Sequence, residues 1–139
     1  FEGALIVADG VFSMSGDILK LPEIIALAKK YNCRTYVDDA HAVGVLGPQG
    51  QGTEFHFNAP NSADIVMGTF SKSFASVGGY VAGSKDVIDY IKHNARHFMF
   101  TAAMPPAAAA TVLECMRIVQ EEPQHLQNLG NSCLAARSQ

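Results

Sequence analysis

Short unbroken apolar runs alternate along this chain with segments whose apolar residues recur at helical spacing. Ala4 to Ala8 (Ala-Leu-Ile-Val-Ala) is one such run, as expected of a strand buried on both faces of a parallel sheet. After a turn at Ser15-Gly16-Asp17, residues Leu21, Ile24, Ile25, Leu27 and Ala28 fall on one helical face. Pro22 sits in the first turn and Lys29-Lys30 in the last, so an amphipathic helix is predicted over Leu21 to Tyr31. Arg34 to Val37 predicts the next strand and delivers Asp38 to its C-terminal end.

Gly44 to Pro60 carries four glycines and two prolines and predicts a long loop, mobile around Gly47 to Gly52. Ile65 to Met67 predicts a further buried strand. Val77 to Ala82, with Gly78-Gly79, predicts a strand whose neighbours approach closely. Asp86 to Ala95 is helical by pattern, with Val87, Ile88, Tyr90 and Ile91 facing inward. Pro106 to Glu121 is a second helix closed by Pro123, and a weaker one runs from Gln124 to Ala136. Strands alternating with helices argue for an α/β layer fold with a largely parallel sheet. Ligands of such sheets collect at the carboxyl ends of the strands, where Asp9 and Ser13, Asp38 and His41, and Thr69 to Ser73 all fall.

Composition narrows this picture. The chain has 139 residues, about one domain, with 48% apolar and 17% charged residues, which suffices for a packed core. A net charge of -3 with ten scattered Lys and Arg offers no basic stripe, which argues against nucleic acid. Cys33, Cys115 and Cys133 are odd in number and lack CxxC spacing, so neither a disulfide framework nor a zinc knuckle is indicated, and a reducing cytoplasm fits. Ala102 to Leu113 is interrupted by Pro105 and Pro106 and is too short to span a bilayer. No cleavable leader is evident at Phe1, and the opening Phe1-Glu2-Gly3-Ala4 lacks an initiator methionine, so a piece of a longer protein is expected.

The candidate chemistry centres on Lys72, set among Ser71, Ser73, Ala75 and Ser76. A lysine whose pKa is lowered forms a Schiff base with a carbonyl, although a solvated loop lysine is the commoner outcome for such a pentapeptide. Asp38, beside Asp39, is suited to hold a proton on a pyridine nitrogen, the division of labour of pyridoxal phosphate enzymes. The two acids equally suit a metal or a helix N-cap, and capping is the commonest outcome. His41 has the chemistry to stack on or hydrogen-bond a planar ring, and without a second His or Cys at ligand spacing a metal is not favoured. Ser13, Thr69, Ser71 and Thr101 are hydroxyl donors near strand ends, suited to a phosphate or simply to closing turns. Gly47-Pro48-Gln49-Gly50-Gln51-Gly52 lacks the order of a P-loop.

Four blocks then resemble one family in order and spacing: Val11 to Asp17, Val37 to Gly44, Gly68 to Ser73, and Met104-Pro105-Pro106. They are similar to the α-oxoamine synthases, pyridoxal phosphate enzymes of fold type I, over essentially the whole chain. The resemblance implies a partial large domain of the PLP-transferase fold type I, residues 1–139, without the N-terminal segment and the C-terminal small domain. It implies that Lys72 carries the cofactor as a Schiff base and moves protons at the substrate α-carbon. Asp38 would pair with the ring nitrogen, and His41 would meet the cofactor's phenolic oxygen or the substrate carboxylate. Ser13 would lie near that oxygen, Thr69 and Ser71 would contact cofactor or phosphate, and Thr101 would reach a phosphate across a homodimer interface.

The implied reaction is decarboxylative condensation of an amino acid with an acyl-CoA. Ser71 to Gly79 is most similar to the bacterial serine palmitoyltransferase branch, which implies L-serine, a long-chain (palmitoyl) acyl-CoA and peripheral membrane contact through a lipid product. Asp39 where aminolevulinate synthases carry Glu counts against that branch, while 8-amino-7-oxononanoate synthase and 2-amino-3-ketobutyrate ligase stay open. The family's ring-stacking residue and its carboxylate-binding arginine lie outside these blocks, so these 139 residues alone are expected to bind the cofactor weakly and not to turn over. A non-catalytic partner subunit is the competing class, and the retained Lys72 argues against it. An ordinary nucleotide-binding module would need GxGxxG after a strand, which the sequence lacks.

Overall fold

The fold was obtained as a computed structural model, which describes residues 3–138. Four strands, β1 (Leu5–Asp9), β2 (Arg34–Asp38), β3 (Ile65–Thr69) and β4 (Gly79–Gly83), lie side by side in chain order. β1 to β2 and β2 to β3 are parallel, and β4 returns antiparallel to β3. The largely parallel α/β sheet expected from the sequence is therefore what forms.

Helix α1 (Leu21–Lys30) links β1 to β2, with Pro22 and Glu23 in its first turn and Lys29 and Lys30 in its last. Its Leu21 is fully enclosed against Val37 of β2 and Leu19, and Ala8, Ile24, Ile25, Phe57 and Ala63 pack around them. Burial of a side chain such as Leu21 or Val37 contributes about 1.5–3 kcal/mol. Successive strand residues face opposite ways, so Val37 points into this core and Asp38 points to the other face.

Gly44 to Pro60 was expected to be a long loop, mobile around Gly47 to Gly52, and the structure corrects this. A short helix, α2 (Thr53–His56), forms there, and the glycine-rich stretch before it is fastened rather than mobile. Gly44 donates to Gly50 at 2.7 Å, Gly52 donates to Leu46 at 2.9 Å, and Gly50 and Gly52 are both buried.

At the start of β2, Asp64 ties the crossover down. Its carboxylate accepts from the Thr35 amide and hydroxyl, each at 2.9 Å, and from Arg34 at 3.0 Å. Burial alone would push this carboxyl up, but those donors outweigh it and hold it below its ordinary value of 3.8. Ionised Asp64 thus stabilises the fold above that value, and the contribution is lost as pH falls through the lower folded-state pKa. Asp64→Asn should flatten the acid limb of stability below pH 3.8, read from denaturant midpoints at a series of pH values. An acid limb as steep as the parent's would refute the assignment.

After β4 the chain forms α3 (Lys85–Asn94), α4 (Arg96–Met99), α5 (Pro106–Glu121) and α6 (Gln124–Arg137). The expected inward face of α3 holds for Val87, Ile88 and Ile91, whereas Tyr90 is 69% exposed. No helix among the described residues is long and apolar enough to cross a membrane.

Candidate functional site

The carboxyl ends of β1, β2 and β3 meet at one end of the sheet, where Asp9 pairs with Asp38 and Asp38 with Met67. Asp38, Met67 and Thr69 share a face because they alternate with Val37 and Gly68 across the register. A cavity of about 740 Å³ opens there, and Asp38, Thr69 and Lys72 all line it. Its far wall comes from α3 and α4, with Ile88, Ile91, Lys92 and His97.

The Asp38 carboxylate accepts from the Ala40 amide at 2.9 Å, which fixes its side chain against the turn that follows β2. Thr69 and Ser71 share a hydroxyl–hydroxyl hydrogen bond of 2.8 Å, and the Ser71 amide donates to Thr69 Oγ1 at 3.2 Å. Gly78 and Gly79 form the floor. A β-carbon on Gly79 would lie 2.6 Å from the Gly68 carbonyl, which is the close strand approach that Gly78-Gly79 announced.

Lys72 stands in the β3 to β4 connection, exposed at the cavity, in a loop anchored on both sides. Ser73 Oγ donates to the Val43 carbonyl at 2.7 Å, and Ser76 Oγ donates to the Ala108 carbonyl of α5 at 3.1 Å. Phe74 is buried, at 5% exposure, so the lysine projects from a rigid base. Within this loop Ala75 adopts a left-handed φ of 48°, closing a turn in which its amide donates to the Lys72 carbonyl at 3.0 Å. Left-handed backbone costs a residue with a β-carbon about 1–2 kcal/mol. Ala75→Gly should therefore leave stability unchanged or raise it by up to about 1 kcal/mol, since relief of strain exceeds the entropy glycine loses. A destabilisation in urea unfolding would show that the strain is not there.

The remaining expected residues lie outside the cavity wall. His41 is half-buried in the turn three residues beyond Asp38. Ser13 is exposed in the turn closed by the Gly16 amide on the Phe12 carbonyl, and Thr101 is exposed just after α4. Ser71 joins the cavity group only through Thr69. Asp39 proves to be a capping group: its carboxylate accepts from the amide and the hydroxyl of Thr53 at the start of α2, at 2.9 and 2.5 Å. Burial pushes its carboxyl up, the Thr53 bonds oppose this, and the charges of Glu54 and Asp38 add to the rise.

Lys92 and His97 went unread in the sequence. Lys92 stands one and four residues after Ile91 and Ile88, and that spacing on α3 was the available signal. No group of three or more His, Cys, Asp or Glu side chains is arranged for a metal among the described residues. The donor set of carboxylate, amine and paired hydroxyls instead suits a small planar ring with a basic nitrogen, an electrophilic carbonyl and an anionic tail.

Comparisons with known proteins show the family and the fold. The sequence pattern of the family Aminotransferase class I and II matches residues 2–133. A serine palmitoyltransferase of Bacteriovorax stolpii is 61% identical over 93% of this chain and 31% of its own length. An 8-amino-7-oxononanoate synthase of Treponema denticola is 51% identical over 93% of this chain and 33% of its own. A solved serine palmitoyltransferase of S. paucimobilis, with bound PLP-myriocin, superposes with a TM-score of 0.86 at 35% identity, covering 93% of this chain and 33% of that one. The chain thus spans about a third of the length of the relatives it matches.

Proposed function

The chain belongs to the aminotransferase class I and II family and has the large-domain fold of the fold-type-I pyridoxal phosphate enzymes; on that premise we propose that it is the cofactor-anchoring part of an α-oxoamine synthase using L-serine and a long-chain acyl-CoA. The observation that carries the reading is Asp38, Thr69 and Lys72 in one cavity at the carboxyl end of the sheet. When bound, pyridoxal phosphate supplies an electron sink for a carbanion at the amino acid's α-carbon.

Each residue then has a defined task. Lys72 Nζ would hold the cofactor's aldehyde carbon and would be the base that takes the amino acid's α-proton. Asp38 keeps a proton on the ring nitrogen by setting an acceptor and a negative charge opposite it. Thr69 and Ser71 offer hydroxyls to the phosphate. His41, in the turn beyond Asp38, reaches the phenolic oxygen or the substrate carboxylate, with Ser13 beside that oxygen. Thr101 serves a phosphate across the interface of a homodimer. In the net reaction a carbon–carbon bond forms between the α-carbon and the thioester carbonyl, the thiol of coenzyme A leaves, and the amino acid's carboxyl departs as carbon dioxide.

The serine reading is supported by a serine palmitoyltransferase at 61% identity and another at 52%. 8-Amino-7-oxononanoate synthases at 51% and 54% identity support a second reading, with alanine as the amino acid. Adding pyridoxal phosphate to the full-length protein should produce a near-visible absorbance band that borohydride reduces onto Lys72. Titration with serine, alanine and glycine should perturb that band at the lowest concentration for serine. A band that responds first to alanine would replace the substrate proposed here, and the absence of any band would reject the whole reading.

A further inference from the structure

Asp39 has no task in that chemistry, yet it is the one charged side chain in the buried class among the described residues, at 1% exposure. Its backbone amide donates to the Met67 carbonyl of β3 at 2.7 Å, and its carbonyl accepts from Ala42 and Val43, each at 2.9 Å. Its carboxylate is held by Thr53 as described. Two glycines make the room: a β-carbon on Gly10 would lie 2.1 Å from Oδ1, and one on Gly52 would lie 2.2 Å from Oδ2. Gly10 in turn donates its amide to the Asp38 carbonyl at 2.8 Å. The end of β1, the end of β3, the turn after β2 and the start of α2 are therefore joined at this one residue.

A carboxylate enclosed without a cation is costly, and an apolar corner would be more stable. What the ionic corner provides is direction. Asp38 Oδ1 accepts from the Ala40 amide, so its aim depends on the peptide immediately after Asp39, and His41 follows one residue later. We infer that Asp39 is a positioning residue, which through the corner it ties fixes where Asp38 and His41 project relative to Lys72; this rests on the function proposed above. Displacement of a catalytic group by about 1 Å is worth roughly a hundredfold in rate.

The experiment uses the full-length protein with pyridoxal phosphate and the variants Asp39→Ala, Asp39→Asn and Thr53→Val. Asp39→Ala should lower kcat for serine condensation by about a hundredfold, with a smaller change in KM, and should weaken or shift the near-visible band. Asp39→Asn keeps an oxygen to accept the Thr53 amide and should recover most of both signals. Thr53→Val should move both in the same direction as Asp39→Ala by less. If Asp39→Ala lowers the melting temperature while kcat and the band stay at the parent values, the role is structural and the inference falls. If Asp39→Ala does not fold, the same unchanged values in Thr53→Val overturn it. A parent protein that forms no band would remove the proposed function and this inference together, whereas a band-forming parent matched by Asp39→Ala removes the inference alone.

Discussion

Lys72→Ala should abolish the near-visible band formed with pyridoxal phosphate and reduce condensation turnover by on the order of 10⁴-fold or more. Loss of a positioned proton-transfer group costs about 10²–10⁴-fold, and loss of a covalent anchor in a cooperating set costs more. The site makes the result diagnostic because it contains a second amine. Lys92 lines the same cavity from α3, while Lys85, at the start of that helix, is paired with Asp89. Lys92→Ala should keep the band, and Lys72→Arg should lose it despite retaining the charge, because a guanidinium does not form the carbon–nitrogen double bond required. A borohydride-reducible band that survives Lys72→Ala and vanishes in Lys92→Ala would move the anchor to α3.

The largest stability effect is expected at Gly52. Its φ of 107° lies where side chains are disfavoured, and a β-carbon there would sit 2.2 Å from Asp39 Oδ2 and 3.2 Å from its Cγ. Both residues are buried, so neither moves aside freely. Gly52→Ala should cost about 2–5 kcal/mol, combining backbone strain with overpacking. The two sites touch, so the loss should be smaller when introduced into Asp39→Ala, a coupling that urea denaturation of the four variants measures. Additive losses would mean that the corner relaxes around the new methyl group.

Much of this architecture was legible in the residues. β1 announces itself as an unbroken apolar run, and α5 is bracketed by Pro106 at its start and Pro123 beyond its end, so its limits follow from local chemistry. What local pattern misses is whatever a distant partner determines. α2 is a short helix in a glycine- and proline-rich stretch, and it forms where a carboxylate 14 residues earlier accepts its first amide. β4 begins at Gly79 rather than Val77 because the Gly78 carbonyl is taken by the Phe70 amide and the Thr69 hydroxyl, which makes it loop. Tyr90 sits off the stripe that Val87, Ile88 and Ile91 define, so its apolar ring was a misleading signal.

The same division holds at the site. Asp38, Thr69 and Lys72 could be read because each falls at or just beyond the carboxyl end of a strand and parallel strands end together. Lys92 and His97 could not, since they reach the cavity only because α3 and α4 fold back beside the sheet.

Strand order equal to chain order has a consequence for how the molecule is made. As the polypeptide leaves the ribosome, each new strand finds its neighbour already synthesised, and none waits for a segment still to come. At the usual 5–20 residues per second, Thr53 emerges roughly one to three seconds after Asp39, and Met67 soon after that. The carboxylate side of the site therefore precedes Lys72 in the chain, whereas the base that holds the lysine is completed last, when α5 brings the Ala108 carbonyl to Ser76, 32 residues after it.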